Sequence, residues 1–207
     1  MQVTVKYFNF ASGENTDGPE IGLVSLKDFG FRFEEAPDKK VIFSGFHVYQ
    51  VTGTERNSPK PVMRNRDVTF HACLLSRCEI GEQGKIMSEF GSRKGLVTHA
   101  FFFYNGDVLL WRDPMVEKGQ MAGPYNSVSI QALVETNLHR VSMKQIQSIK
   151  SWIRHYSGID SSIKIENLLS HSEARGSGRN EEIDNMDDMR KILSLGDSRI
   201  QCIAERE

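Results

Sequence analysis

The stretch from Lys164 to Ile192, KIENLLSHSEARGSGRNEEIDNMDDMRKI, decides how the rest of the chain is read. It opens on a short apolar run, Ile165 to Leu169, which puts His171 at the end of a predicted strand. A polar, glycine-bearing loop carrying Glu181, Glu182 and Asp184 follows. A histidine at a strand end, followed by a loop rich in carboxylates, can close on a metal, because neutral imidazole and carboxylate together suit zinc. The plainer reading is a surface loop before a last helix, with Asp184 as its N-cap and Met186, Met189 and Leu193 facing inward.

Upstream of this stretch, Met143, Ile146, Ile149, Ile153 and Tyr156 fall on one face of a predicted helix over 143–156. Ser142 and Gln145 make a capping-box pattern at its start, and Gly158 stands where a helix ends. Ser127 to Val134 (SVSIQALV) and Leu96 to Phe103 (LVTHAFFF) read as buried strands. Asn105-Gly106 is a strong hairpin signal, with Val108 to Trp111 as the returning strand. Asp67 to Leu75 (DVTFHACLL) has the shape of another buried strand, with His71 in its middle. Glu79 to Phe90 is expected to form a short helix despite two glycines.

Residues 1–64 read as a β-rich N-terminal extension, with strands expected at Val3 to Phe10 and within Lys40 to Val51 (KVIFSGFHVYQV). His47 lies inside the second of these, where a packed or solvated strand residue is the expected role. The loop from Gly53 to Arg64, with Pro59 and Pro61, is taken as the boundary to a main domain over 65–207. The order of elements predicts an α/β fold: a mixed central sheet flanked by helices.

Composition narrows the function classes. A chain of 207 residues, 39% hydrophobic, is long enough for one substantial core. Its net charge of −1 gives no sign of a general nucleic-acid binder. No apolar segment approaches the roughly 20 residues of a membrane span, and Met1 to Phe10 lacks the pattern of a signal peptide. Synthesis as a soluble cytoplasmic protein is therefore expected. Cys73, Cys78 and Cys202 make no disulfide framework; the first two are read as buried free thiols, with a bridge or a share in a metal site as the alternatives.

Taken in succession, DVTFHACLL, LVTHAFFFYNGDVLLW, AGPYNSVSIQALV, the amphipathic helix and NLLSHSEARGSGRNEEID resemble the zinc-dependent N-acetylmuramoyl-L-alanine amidase family, which includes phage endolysins and the peptidoglycan recognition proteins. The resemblance runs from about Asp67 to Leu193. It implies an amidase-like domain, a Zn2+ cofactor, and peptidoglycan or a muropeptide as partner. His71 matches the family's first zinc histidine and His171 the second, followed here by Ser172 and Glu173. Spacing within the family puts Glu181 at the third ligand, with Glu182 or Asp184 in its place after a small loop shift. Arg179 holds the position of a family Lys that steadies the oxyanion.

Other positions depart from the family. Gln131 falls where many members have a Glu, Thr98 replaces a Tyr used by some phage members, and Met121 stands where the family often has a substrate-holding His. His99 matches a family position, although a histidine on an apolar strand commonly has a structural role. With Gln131 in the usual acid's place, the candidate proton donors are Glu173, the spare member of Glu181 and Glu182, or a zinc-bound water network. The resemblance thus implies either an amidase that cleaves the bond between N-acetylmuramic acid and L-alanine by zinc-activated water, or a protein of the same fold that binds without hydrolysis, or a virion structural or assembly protein. Action at a cell wall would require delivery by a lysis system, a virion or a secretion machine.

Overall fold

The computed structural model describes residues 5–9, 14–18, 31–39, 42–43, 46–54, 69–80, 82, 98–120, 122–175 and 183–195. Nine strands are described: β1 (Val5–Asn9), β2 (Glu14–Gly18), β3 (Phe31–Glu35), β4 (Val48–Thr54), β5 (Ala72–Glu79), β6 (Ala100–Phe102), β7 (Val108–Leu110), β8 (Ser129–Thr136) and β9 (Leu168–Ser170). The described helices are α1 (Met143–Ile159), α2 (His171–Arg175) and α3 (Met186–Ser194). β1 and β2 pair antiparallel with each other, whereas the other seven strands make one mixed sheet in the order β3-β4-β7-β6-β8-β5-β9. No described helix is long and apolar enough to cross a membrane.

The centre of the sheet is the parallel pair β5 and β8, in register from Ala72 and Ser129 to Glu79 and Thr136. Every residue of β8 is buried, as a central strand covered on both faces requires. Alternate residues divide two cores. Cys73, Leu75, Ala100, Phe102, Ile130, Ala132 and Val134 pack with Ile146, Ile149, Trp152 and Ile153 of α1. Phe101, Leu109, Leu133, Cys78 and Tyr49 form the opposite layer, with Trp111 against it. Within the helix-facing core the Trp152 ring stands edge-on to Phe102 at 5.5 Å and to Tyr156 at 5.9 Å.

The predicted capping box fixes the start of α1: Ser142 Oγ accepts from Gln145 N–H at 3.1 Å while Gln145 Oε1 accepts from Ser142 N–H at 2.8 Å. Gln145 Nε2 also donates to the carbonyls of Phe102 and Glu135, which ties the helix start to β6 and β8. The helix runs on through Gly158 to Ile159, so this glycine lies in the last turn and not beyond it. α3 starts at Met186 with Asn185 as its N-cap, one residue after the predicted Asp184, and buries Met186, Met189 and Leu193 as expected. The Lys150 ammonium donates to the Leu195 carbonyl, linking α1 to the end of α3.

The Asn105-Gly106 hairpin joins β6 to β7, with Gly106 at φ 91°. A Cβ there would also lie 2.6 Å from Phe46 Cε1, so both backbone and space call for glycine. β7 pairs parallel with β4, and β4 antiparallel with β3. Two strands from the expected extension over 1–64 therefore belong to the same sheet as the rest of the chain. Alternation predicts a strand but does not say which sheet edge it joins. Most of the helix expected over Glu79 to Phe90 lies outside the described residues.

Candidate functional site at the ends of β5 and β9

β5, β8 and β9 are parallel, so their carboxyl ends open on one edge of the sheet. In open α/β sheets this edge is where ligands bind. β9 pairs with β5 through Cys73↔Leu168, Leu74↔Leu169 and Leu75↔Ser170. His171 comes next, as the first residue of α2, and is 7% exposed.

The turn that carries His171 is tightly held. Ser170 N–H donates to Glu173 Oε2 at 2.7 Å, and Glu173 N–H donates to Ser170 Oγ at 3.2 Å, a capping box around α2. Ser170 and Ser172 share a hydroxyl hydrogen bond at 2.9 Å. Arg190 of α3 donates from Nε and Nη2 to the Leu168 carbonyl and from Nη2 to Glu173 at 2.5 Å. Burial pushes the Glu173 carboxyl up, but hydrogen bonds from Arg190 and Ser170 outweigh it and hold this group below the usual carboxylate range. Glu173, expected as a proton donor, is thus an ionised brace for the turn.

His71 does not reach this edge. It precedes the first residue of β5, is exposed, and donates its backbone N–H to the Val128 carbonyl at 2.7 Å. The β5–β9 pairing runs from Cys73↔Leu168 to Leu75↔Ser170, so the strand that ends beside His171 meets β5 at Leu75, past His71. His71 and His171, expected to converge, lie at opposite ends of the β5–β9 pairing, His71 two residues before its first pair and His171 one after its last. The reason is local: the apolar run containing His71 forms strand only from Ala72 onward, and the strand then continues to Glu79.

Gln131, Thr98 and His99 form a block inside the sheet, each 0% exposed. His99 Nε2 lies 3.1 Å from the Glu117 carbonyl, which can only accept, so Nε2 carries the proton. His99 Nδ1 is then the acceptor for Gln131 N–H, and the ring is neutral. Gln131 Nε2 donates to Asn126 Oδ1 at 3.2 Å and Ser129 Oγ at 3.0 Å. Thr98 Oγ1 lies within hydrogen-bonding reach of the Gln131 and Ala100 carbonyls, at 2.8 and 3.1 Å. A Cβ on Gly119 would come within 2.3 Å of the Gln131 carboxamide, so Gly119 lies directly on that amide. These contacts tie Glu117, Gly119 and Asn126 to the sheet.

Arg179, Glu181, Glu182 and Met121 lie outside the described residues. Asp184 donates its backbone N–H to the His139 carbonyl at 2.9 Å. Cys73 packs in the helix-facing core and Cys78 in the opposite layer, and both are free thiols with no bridge between them. Burial, with a smaller contribution from Glu166, pushes the Cys73 thiol up to about 12, and burial also raises Cys78. Among the described residues, no group of three or more His, Cys, Asp and Glu is gathered so that it could hold a metal ion.

With this geometry in hand, the comparison with solved structures is informative. The N-acetylmuramoyl-L-alanine amidase LysC from Clostridium intestinale URNW matches with a TM-score of 0.53 at 13% identity, over 72% of this chain and 98% of that one. The chain has the amidase fold. The endolysin amidase LysCS from the same organism matches with a TM-score of 0.53 at 13% identity, over 72% and 96% of the two chains. AmpD, as its selenomethionine derivative, matches with a TM-score of 0.52 at 14% identity, over 68% of this chain and 94% of that one. No protein-family model matches the sequence, and no curated protein matches it significantly.

Ser76 lies near the carboxyl end of β5, is 5% exposed, and its Oγ has no partner among the described residues. Next to it in sequence, Arg77 pairs through Nη1 with Glu79 at 2.7 Å. Glu79 Oε1 also accepts from Thr136 Oγ1 at 3.0 Å and His139 N–H at 3.3 Å. The signal for Ser76 was strand length, since β5 pairs with β8 over its whole run and a strand beginning at Ala72 must continue well past Leu75.

Proposed function

We propose that this chain is a non-hydrolytic peptidoglycan-binding protein built on the amidase fold. The observation that supports the reading is the β5–β9 register, in which His71 precedes the first pair, Cys73↔Leu168, and His171 follows the last, Leu75↔Ser170. Zinc is held at about 2 Å by three groups such as imidazole and carboxylate. Beyond Leu75, the last residue paired with β9, β5 continues with a neutral hydroxyl at Ser76 and then the Arg77 guanidinium, which has no lone pair to give. The described donor set does not fit a resident zinc ion, and no hydrolytic step is derived through one.

Proton transfer argues the same way. An amide at Gln131 cannot act as a general base, and its carboxamide is engaged with Asn126 and Ser129. Glu173 is held ionised by Arg190, so it has no proton to deliver to a leaving amine at neutral pH. What remains suited to a ligand is a polar strand edge beside a rigidly braced turn.

The test is co-sedimentation with purified peptidoglycan in zinc-supplemented buffer, with soluble stem peptides measured in the supernatant. The proposal expects the protein in the pellet and no release of peptides. Chelator-sensitive release would establish the hydrolytic reading, in which Glu181 and Arg179 complete the site. Failure to sediment would favour a structural or assembly role.

A further inference from the structure

We infer that Asn105-Gly106 is a site of spontaneous deamidation, which Asp107 holds closed in the folded chain and which opens when β7 comes away from β4. Asparagine followed by glycine is prone to this chemistry because the second residue has no side chain to hinder the approach. The Gly106 backbone nitrogen gives up its proton to solvent and attacks Asn105 Cγ. The bond from Cγ to Nδ2 breaks, ammonia leaves, and a five-membered succinimide remains. Water then opens the ring at one or other carbonyl, giving aspartate or isoaspartate. The reaction needs a rotamer that brings Cγ onto the nitrogen, and a backbone N–H that is free to ionise.

The turn denies both. Asn105 Nδ2 donates to Asp107 Oδ2 at 2.7 Å, and Asn105 Oδ1 accepts from Asp107 N–H at 3.0 Å, so one residue grips both ends of the carboxamide. The buried Gly106 donates its N–H to the Phe103 carbonyl at 2.9 Å. Asp107 is itself anchored: it is buried, and its Oδ1 accepts at 3.1 Å from the N–H of His47, the residue before β4. The guard therefore depends on β4 and β7 lying side by side, as their Val48↔Val108 pair sets them. Losing one hydrogen bond to a carboxylate raises the population of the reactive rotamer about tenfold. The change is one-way. Isoaspartate adds an atom to the main chain in a turn where Phe103 N–H donates to the Asp107 carbonyl and the Tyr104 carbonyl accepts from Ser142 Oγ. It thereby shifts β6, β7 and the start of α1 against one another.

The experiment is incubation of the full chain at mildly alkaline pH, folded and in guanidinium, with Asn105 followed by peptide mapping and mass spectrometry. Unfolded wild type should form aspartate and isoaspartate at this position at least about tenfold faster than folded wild type. Folded Asp107→Ala should convert about tenfold faster than folded wild type. Asp107→Asn, which keeps the size of the side chain but puts an amide where a carboxylate accepted two bonds, should also accelerate conversion. Met189→Ala weakens the core away from this turn and should leave the rate at the wild-type level. One rate for folded and unfolded wild type would overturn the protection. An Asp107 variant with native circular dichroism that converts no faster than wild type would overturn the role of Asp107. Acceleration by Met189→Ala equal to that by Asp107→Ala would overturn it too, because global opening would then set the rate.

Discussion

The Gln131 backbone N–H donates to His99 Nδ1 at 2.8 Å, and His99 N–H returns a bond to the Gln131 carbonyl at 2.9 Å. The two residues are locked to each other through backbone and ring, and the Gln131 side chain is spent on Asn126 and Ser129. Gln131→Glu would therefore not create a general acid or base. It would bury a carboxylate facing the oxygen of Asn126, and is expected to destabilise the fold by at least ~2 kcal/mol at pH 7. The loss should shrink toward acid pH, where the carboxyl is neutral. Urea unfolding of the variant at pH 7 and pH 5 checks this; a variant as stable as wild type at both would refute the buried-lock description.

The start of α1 should be equally sensitive. Ser142 Oγ accepts from Gln145 N–H and donates to the Tyr104 carbonyl at 2.6 Å. Ser142→Ala is expected to cost about 1–2 kcal/mol in denaturant unfolding, and Ser142→Asp, which keeps the acceptor, should recover part of it.

The Glu173–Arg190 brace predicts a pH dependence whose sign is fixed. The folded carboxyl is held below its ordinary value, so its contribution is present above the unfolded value of about 4.3 and is lost as pH falls through the folded value. The stability difference between wild type and Glu173→Gln should stay constant above pH ~5 and narrow below it. Its size is modest because the pair is partly exposed. A difference that grows on acidification would contradict the brace.

How much of this was legible from sequence differs by element. The 3.6-residue pattern of α1 fixed both its face and its cap, and Asn105-Gly106 announced the β6–β7 turn correctly. The buried strand near His71 gave no such anchor. A parallel strand covered on both faces is a continuous apolar run with no period to say where it begins, and here Ser76 and Arg77 interrupt the run while the strand continues to Glu79. His71, expected in the middle of the strand, lies just before its first residue. Glu173 was read from its place after His171, but the partner that braces it, Arg190, is 17 residues away and invisible to spacing.

Both described cysteines should be silent in the native state. Burial raises the thiol pKa of each, so little thiolate exists at pH 8. In a Cys202→Ser background, a disulfide reagent such as DTNB should titrate no thiol of the folded protein within minutes and both Cys73 and Cys78 after guanidinium unfolding. Rapid native labelling would mean that one of the two cores opens readily.

The central claim is that His71 and His171 do not share a zinc ion, and zinc content measures it most directly. Purified protein equilibrated with a small excess of zinc and then desalted should retain far less than one ion per chain by elemental analysis. Retention of one zinc per chain that is lost in both His71→Ala and His171→Ala would contradict the register-based account.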